Sequence, residues 1–212
     1  MLFRSGGEGE DSRALNTDRL AHSKAPLILL LPGSRAGELK RHLPVMFAAL
    51  EAIQAAKSGF TVRMALPNEE LARLARAFSS AAECDIRVGG LAESLSSATL
   101  ALASTGTVTM ECAYFGVPTV ALYKTSWSTY QIGKRLVQVK YLAMPNLLAG
   151  EEIFPEFIQH DAMPENIAQA ALDLLDNPAR RDAIRVRLAG VIKSMGGPGA
   201  SARAAEAIVK SL

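Results

Sequence analysis

Residues 99–113, Thr-Leu-Ala-Leu-Ala-Ser-Thr-Gly-Thr-Val-Thr-Met-Glu-Cys-Ala, predict a buried strand that passes through a turn of small residues into a helix. The apolar run has the length of a strand and ends at Ser104. Gly106 allows a positive φ and a close approach of a ligand to the backbone. The amides of Gly106, Thr107 and Val108 would then be donors without partners at a positively polarised helix end. This turn is therefore suited to a phosphate group.

Glu111 stands about one turn inside that helix. If Thr107 is the N-cap, a capping-box acid would belong at Met110, so capping does not explain Glu111. A carboxylate at this place can accept hydrogen bonds from vicinal hydroxyls, as an acidic residue does with ribose in dinucleotide folds. The alternative is an ordinary glycine-containing turn followed by a surface glutamate. The stretch by itself leaves both interpretations open.

Outward from this stretch, strands and helices alternate along the chain. Strands are predicted at 27–31, 61–66, 85–88, 99–103 and 118–123, with helices at 37–57, 68–82 and 107–115 and a helical turn at 91–96. Further helices are predicted at 127–138, 164–176, 178–194 and 198–211. This alternation predicts an α/β fold, a Rossmann-like and mostly parallel sheet flanked by helices, with a helical tail.

A second candidate motif, Leu30-Leu31-Pro32-Gly33-Ser34-Arg35, follows the first predicted strand. Ligands of open α/β sheets bind at the carboxyl ends of strands. Arg35 can bind a diphosphate through two parallel hydrogen bonds, which a lysine cannot. The alternative is a Pro-Gly turn followed by a surface arginine. Glu38 opens the next helix, where a negative charge is favourable in any case.

The third candidate region begins with Tyr123 and Lys124, just past a predicted strand end. It continues through residues 141–150, Tyr-Leu-Ala-Met-Pro-Asn-Leu-Leu-Ala-Gly. Asn146 is expected in a loop, where its amide can both donate and accept; the alternative is an ordinary Asn turn. Positive charge in this region comes from Lys134, Arg135 and Lys140. This charge favours contact with an anionic lipid head group. The alternative is that these residues form an ordinary solvated helix face.

Composition limits the class of protein. The chain has 212 residues, of which 49% are hydrophobic, enough for one α/β domain or a domain and a half. A net charge of +2 from scattered basic residues argues against nucleic acid as a partner. Cys84 and Cys112 have no histidine beside them, so no disulfide framework or zinc site is indicated and a cytoplasmic location is expected. No run approaches the ~18 residues of a membrane span.

Residues 1–24 contain glycines and charges without periodicity, which predicts a flexible lead-in to a domain spanning 25–212. The opening Met-Leu-Phe-Arg-Ser includes a tetrapeptide that sequencing-adapter DNA can encode, and we expect a truncated or artefactual start. His22, His42 and His160 have no serine or acidic partner at motif spacing. We predict surface or internally hydrogen-bonded histidines rather than catalytic ones.

Taken in order, several motifs resemble the lipid-A-disaccharide synthase family over residues 25–212. They are Leu30–Arg35 with Glu38, Gly106–Cys112, Tyr123-Lys124, Lys134–Val137, and Met144–Gly150 with Gln159. Members of that family look like two-domain GT-B glycosyltransferases. The resemblance implies that this chain is similar to their carboxyl-terminal, nucleotide-sugar-binding half. Thr105 stands where the family pattern has Ser in a Ser-Gly-Thr loop, a change that keeps the hydroxyl.

The resemblance implies transfer of 2,3-diacylglucosamine from UDP-2,3-diacylglucosamine to 2,3-diacylglucosamine 1-phosphate (lipid X), with release of UDP. No metal or other cofactor is implied, because charge on the departing UDP can be stabilised by protein groups alone. By analogy Arg35, the Gly33-Ser34 backbone and the Thr105–Thr107 amides would hold the diphosphate, and Glu111 the ribose. The residues placed near the donor would be Tyr123, Lys124, Asn146 and Gln159.

The family's general base and acceptor site would lie in the other half, so the resemblance implies a chain that binds UDP without completing the transfer. Peripheral contact with the cytoplasmic face of the inner membrane stays open. One alternative is another GT-B enzyme, a peptidoglycan N-acetylglucosaminyltransferase or a UDP-sugar epimerase, and Met144–Gly150 counts against it. A second alternative is a non-catalytic nucleotide-sugar-binding module.

Overall fold

In the part of the chain that the structure describes, six parallel strands form one sheet. The computed structural model describes residues 25–78, 84–125, 140–196 and 200–211. The strands are β1 Leu27–Leu31, β2 Thr61–Leu66, β3 Asp85–Val88, β4 Leu100–Ser104, β5 Thr119–Tyr123 and β6 Glu156–Ile158. Their order in the sheet is β3-β2-β1-β4-β5-β6, and each neighbouring pair is parallel. The predicted α/β fold with a Rossmann-like sheet is confirmed.

Helices connect and cover the strands. They are α1 Ala36–Ala56, α2 Glu69–Arg76, α3 Leu91–Ser97, α4 Thr107–Tyr114, α5 Met144–Ala149, α6 Pro164–Asp176, α7 Pro178–Ser194 and α8 Ala200–Ser211. Helix α1 packs against α6, whereas α4 packs against α5 and α7. Right-handed connections between parallel strands account for α1 and α4 lying on opposite faces of the sheet, since the strand order runs one way from β1 to β3 and the other way from β4 to β6.

The core forms where strands are buried on both faces. Every residue of β1 and of β4 is buried, as expected for central strands of a parallel sheet with helices on both sides. Helix α1 adds an apolar stripe at helical spacing, from Leu39 and Leu43 to Leu50 and Ile53. These two strands therefore form a rigid centre from which the loops at their carboxyl ends extend.

Several predicted boundaries differ from the observed ones. The helix predicted at 68–82 ends at Arg76, and residues 79–83 lie outside the described chain. Phe115 is the C-cap of α4, and Gly116 follows it at φ 65° with its amide donating to the Ala113 carbonyl, as is typical of a glycine just past the end of a helix. Helix α5 and strand β6 were missed, and the loop predicted at Asn146 is wrong because this residue lies within α5.

The lead-in at 1–24 and the helix predicted at 127–138, with Lys134 and Arg135, lie outside the described residues. Within the part of the chain that is described, no helix combines the length and the apolar character that crossing a membrane requires.

Candidate functional site

A cavity of about 490 Å³ opens at the carboxyl end of the sheet. The loops after β1, β2, β3 and β4 line it, and the strand order reverses direction between β1 and β4. Ligands of open α/β sheets bind at such a reversal. The predicted site residues that line the cavity are Gly33, Ser34, Arg35, Thr105, Gly106, Thr107 and Glu111. Two motifs that are about seventy residues apart in sequence thus meet in one place.

The turn after β4 presents a helix N-terminus to the cavity. Gly106, and not Thr107, is the N-cap of α4 and has φ 146°. Because glycine has no side chain, the N-cap makes no side-chain hydrogen bond to the amides of the first turn. A Cβ atom at Gly106 would meet no other atom within 4 Å, so the space beside this backbone is open. The first amides of a helix have no intrahelical acceptors and carry partial positive charge. The end of α4 is therefore suited to an anion.

Thr109 stabilises this turn from inside the helix. Its side chain is buried, and its hydroxyl donates to the Gly106 carbonyl at 2.7 Å and accepts from the Met144 amide at 3.3 Å. With Gly106 as N-cap, the capping-box position is Thr109, so Glu111 again has no capping role. Glu111 is exposed and lines the cavity.

The Thr105 amide is already bonded within the sheet. It donates to the Leu122 carbonyl of β5 at 3.0 Å. The analogy had placed this amide on the diphosphate together with those of Gly106 and Thr107. In this geometry Thr105 faces the cavity as a lining residue, while its amide ties the turn to β5.

The loop after β1 is held by a carboxylate. Glu38 Oε2 accepts from the Ser34 amide at 2.9 Å, and Oε1 accepts from Arg35 Nη1 at 3.1 Å. The Arg35 side chain is 82% exposed, whereas that of Glu38 is 26% exposed. A guanidinium has five N–H donors, so Arg35 keeps donors for an anion while it contacts Glu38. The Ser34 amide, in contrast, is directed at Glu38.

His42 joins the loop after β1 to the end of β5. This side chain of α1 is fully buried, with Nδ1 2.7 Å from the Pro32 carbonyl oxygen. Its Nε2 accepts from the Lys124 amide at 3.1 Å. Burial lowers the pKa of His42 from 6.5, against the opposing effect of the hydrogen bond to the Pro32 carbonyl. The prediction of an internally bonded histidine is confirmed here.

Tyr123, Lys124 and Gln159 are not among the residues that line the cavity. The Lys124 ammonium donates to the Ala162 carbonyl at 3.0 Å. Gln159, at φ 51°, accepts from the Thr125 amide at 2.7 Å and donates to the Thr125 carbonyl at 3.3 Å. The side chains of Lys124 and Gln159 therefore fix the backbone where β5 and β6 end.

Asn146 is fully buried, and its amide is bonded to the chain itself. Its Oδ1 accepts from the amides of Ile153 and Phe154 at 2.9 and 2.8 Å, and its Nδ2 donates to the Phe154 carbonyl at 2.8 Å. Nδ2 also contacts Glu156 Oε2 at 3.2 Å. The side chain thus fastens α5 to the segment that leads into β6. The structure does not bring it to the cavity that Arg35 and Glu111 share.

The opposite wall of the cavity was not found from the sequence. Leu66 and Pro67 line it after β2, and Gly89 and Leu91 line it after β3. Leu66 is the last residue of β2 and the others follow a strand end, so the rule that identified Arg35 could have found them. Among the described residues, no group of three or more His, Cys, Asp or Glu side chains could hold a metal ion.

Comparisons with known proteins cover most of the chain. Residues 8–209 match a family model described as Lipid-A-disaccharide synthetase. A lipid-A-disaccharide synthase of Anaeromyxobacter dehalogenans (strain 2CP-C) is 37% identical over 186 residues, 86% of this chain and 48% of that protein. One from Solibacter usitatus (strain Ellin6076) is 36% identical over 197 residues, 92% of this chain and 51% of that protein. The chain spans about half the length of these curated relatives.

A solved structure with a similar fold is that of a TarM mutant from S. aureus in complex with UDP. It gives a TM-score of 0.55 at 12% identity and covers 79% of this chain and 32% of that one. The glycotransferase of kitacinnamycin gives a TM-score of 0.53 at 18% identity and covers 100% of this chain and 48% of that one. At these identities the likeness shows the fold.

Proposed function

This chain belongs to the lipid-A-disaccharide synthetase family, and we propose that it is the UDP-sugar-binding domain of a glycosyltransferase that makes the lipid A disaccharide. The donor would be UDP-2,3-diacylglucosamine and the acceptor 2,3-diacylglucosamine 1-phosphate, with UDP as the leaving group. The observation that carries the proposal is the cavity between β1 and β4, where Arg35, Glu111 and the N-terminus of α4 come together.

In this proposal the diphosphate binds between Arg35 and the first turn of α4. As the bond to the sugar breaks, negative charge grows on the departing UDP. A guanidinium and oriented amides stabilise that charge without having to reorient during the reaction. Because the Ser34 amide donates to Glu38, we assign the contribution of this loop to the Arg35 side chain.

The nucleoside would occupy the rest of the cavity. Glu111 is placed to accept hydrogen bonds from ribose hydroxyls, in keeping with its exposure at the cavity wall. The wall formed by Leu66, Pro67 and Leu91 is apolar and suits the face of a flat base. A charged end and an apolar end in one cavity match the two ends of a nucleoside diphosphate.

We assign Tyr123, Lys124, Asn146 and Gln159 a supporting role. The polar groups of Lys124, Asn146 and Gln159 bond to backbone atoms outside the cavity, so they would act on the donor by holding the loops around it.

Removal of a general base commonly costs ~100-fold or more in rate. We propose that the base and the acceptor site correspond to the part of the curated relatives that this chain does not match.

Acylated substrates reside in a bilayer. We therefore propose peripheral contact of the assembled enzyme with the cytoplasmic face of the inner membrane.

Calorimetric titration of the 212-residue chain with UDP tests the central claim. We expect saturable binding of UDP and much weaker binding of uridine, since the diphosphate would supply the charged contacts. Equal affinity for UDP and uridine, or no binding of UDP, contradicts the proposal.

A further inference from the structure

His42 contacts two strand ends that lie on different sides of the candidate diphosphate site. Pro32, whose carbonyl oxygen is 2.7 Å from Nδ1, precedes the loop that carries Arg35. Lys124, whose amide donates to Nε2 at 3.1 Å, follows β5. Strand β5 connects Lys124 to the turn before α4, because the Leu122 carbonyl of β5 accepts from the Thr105 amide next to Gly106. The buried imidazole is thus bonded to the backbone on both sides of the site.

These contacts fix the protonation state of the ring. A carbonyl oxygen only accepts, so Nδ1 must carry the hydrogen, and a backbone amide only donates, so Nε2 must be unprotonated. The neutral Nδ1–H tautomer is the one form that satisfies both partners. A proton added at Nε2 would set two N–H donors against each other and break the bond to Lys124, while the bond to Pro32 could remain.

We propose that His42 is a positioning residue that fixes the spacing between the Arg35 loop and the N-terminus of α4, and that its protonation weakens binding of a nucleoside diphosphate. The inference rests on the proposed function, in which both of these elements hold the diphosphate. Affinity for UDP should therefore have an acid limit that belongs to the protein and not to the ligand.

The surroundings of His42 favour the neutral ring. Burial lowers its pKa, and Glu38 and Arg41 on its own helix act in opposite directions, the first raising the pKa and the second lowering it. From β5 it faces the Tyr123 ring, with ring centroids 6.3 Å apart, and Lys124, whose ammonium donates to the Ala162 carbonyl. The ring therefore titrates below pH 6.5.

The experiment compares wild type with His42→Asn, using UDP as the probe at several values between about pH 5 and 8. The Asn amide can still donate to Pro32, but it neither titrates nor replaces the acceptor for Lys124. We expect the wild type to bind UDP about tenfold more tightly than the variant near neutral pH, with the ratio falling toward one in acid. The terminal phosphate of UDP itself titrates at pH ~6, which changes the affinity of both proteins for UDP in the same way. The ratio of the two affinities is therefore independent of the titration of the ligand.

A measurement on the wild type alone covers the case of a variant that does not fold. Nitrogen NMR of the imidazole should show the neutral Nδ1–H tautomer at neutral pH. By linkage, UDP should lower the pKa of His42 by the amount that protonation weakens UDP binding. UDP binding with the same pH dependence in both proteins, or a His42 pKa that UDP does not lower, overturns the inference and leaves the proposed function standing. Absence of UDP binding to the wild type at neutral pH overturns both.

Discussion

The Glu38 carboxylate occupies the space in which a side chain on Gly33 would begin. A Cβ atom at Gly33 would overlap that carboxylate and lie 2.8 Å from the Glu38 Cβ, and Gly33 has φ 122°. The glycine is therefore required by two independent constraints. Its immediate purpose is to admit Glu38, which in turn holds the Ser34 amide and Arg35.

Gly33→Ala should therefore displace Glu38 and loosen the Arg35 loop. We expect a loss of about 1–3 kcal/mol in the free energy of unfolding, from backbone strain and overlap, together with weaker UDP binding. Urea unfolding and calorimetry measure the two effects. Gly59→Ala is the matched control, because Gly59 has φ 83° but nothing within 4 Å of its added Cβ. Equal effects of both substitutions on UDP binding would contradict the role given to Glu38.

Arg35→Lys keeps the charge and removes the planar pair of donors. We expect UDP affinity to fall about tenfold, with little change in the binding of uridine. Arg187→Lys serves as the control, since that side chain pairs with Glu151 on another surface. Calorimetry with both ligands checks the prediction. An equal loss for uridine would show that Arg35 does not act on the diphosphate.

Glu111→Ala should abolish discrimination between ribose and deoxyribose. The wild type is expected to bind UDP more tightly than 2′-deoxy-UDP by about tenfold or more, because a hydrogen bond from a hydroxyl to a carboxylate contributes roughly 1.5–3 kcal/mol. In the variant the two affinities should converge. Glu165→Ala, at an exposed acid in the first turn of α6, provides the control. Discrimination that survives in Glu111→Ala removes Glu111 from the ribose.

Asn146→Ala tests whether that residue stabilises the fold. It leaves the amides of Ile153 and Phe154 and the Phe154 carbonyl without their buried partner. We expect the free energy of unfolding to fall by about 2–4 kcal/mol, measured by urea denaturation. Asn166→Ala removes an exposed hydrogen bond to the Asp161 carbonyl and should cost well under 1 kcal/mol. Comparable losses in both variants would contradict the assignment.

The lowered pKa of His42 also predicts the direction in which stability depends on pH. The unfolded chain, with a histidine pKa near 6.5, binds the proton more readily than the folded chain does. The stabilising contribution is therefore fully present above about pH 6.5 and is lost as the pH falls through the lower pKa of the folded state. Thermal unfolding between pH 5 and 8 should show this decline in wild type and a flatter profile in His42→Asn. Identical profiles would mean that His42 does not titrate differently on folding.

The central strands could be predicted because continuous apolar runs such as Leu27–Leu31 fit only a strand buried on both faces. Strand β6 escaped prediction because it has three residues and begins with Glu156, whose carboxylate accepts from the amides of Leu142 and Ala143. Helix α5 escaped because Pro145 and Asn146 together are typical of a turn.

For the candidate site, the sequence predicted the loops better than the direction of individual side chains. Arg35 and Glu111 follow buried strands, and strand ends meet at one edge of the sheet, so their meeting could be expected. The partners of Asn146 and Gln159 are backbone atoms of Phe154 and Thr125, groups that nearly every residue has. A sequence pattern gives no information on which backbone atoms an amide side chain will bond to.

The four loops around the cavity divide into one pair that carries charged groups and one pair that carries apolar groups. The loops after β1 and β4 carry Arg35 and the start of α4, while the end of β2 and the loops after β2 and β3 supply Leu66, Pro67 and Leu91. Each loop is anchored to its own strand of the sheet, so one pair of loops can change while the other pair keeps its place. In the proposed function, evolution or protein engineering could thus alter the choice of nucleobase at the β2 and β3 loops and retain the proposed diphosphate site of the other two loops.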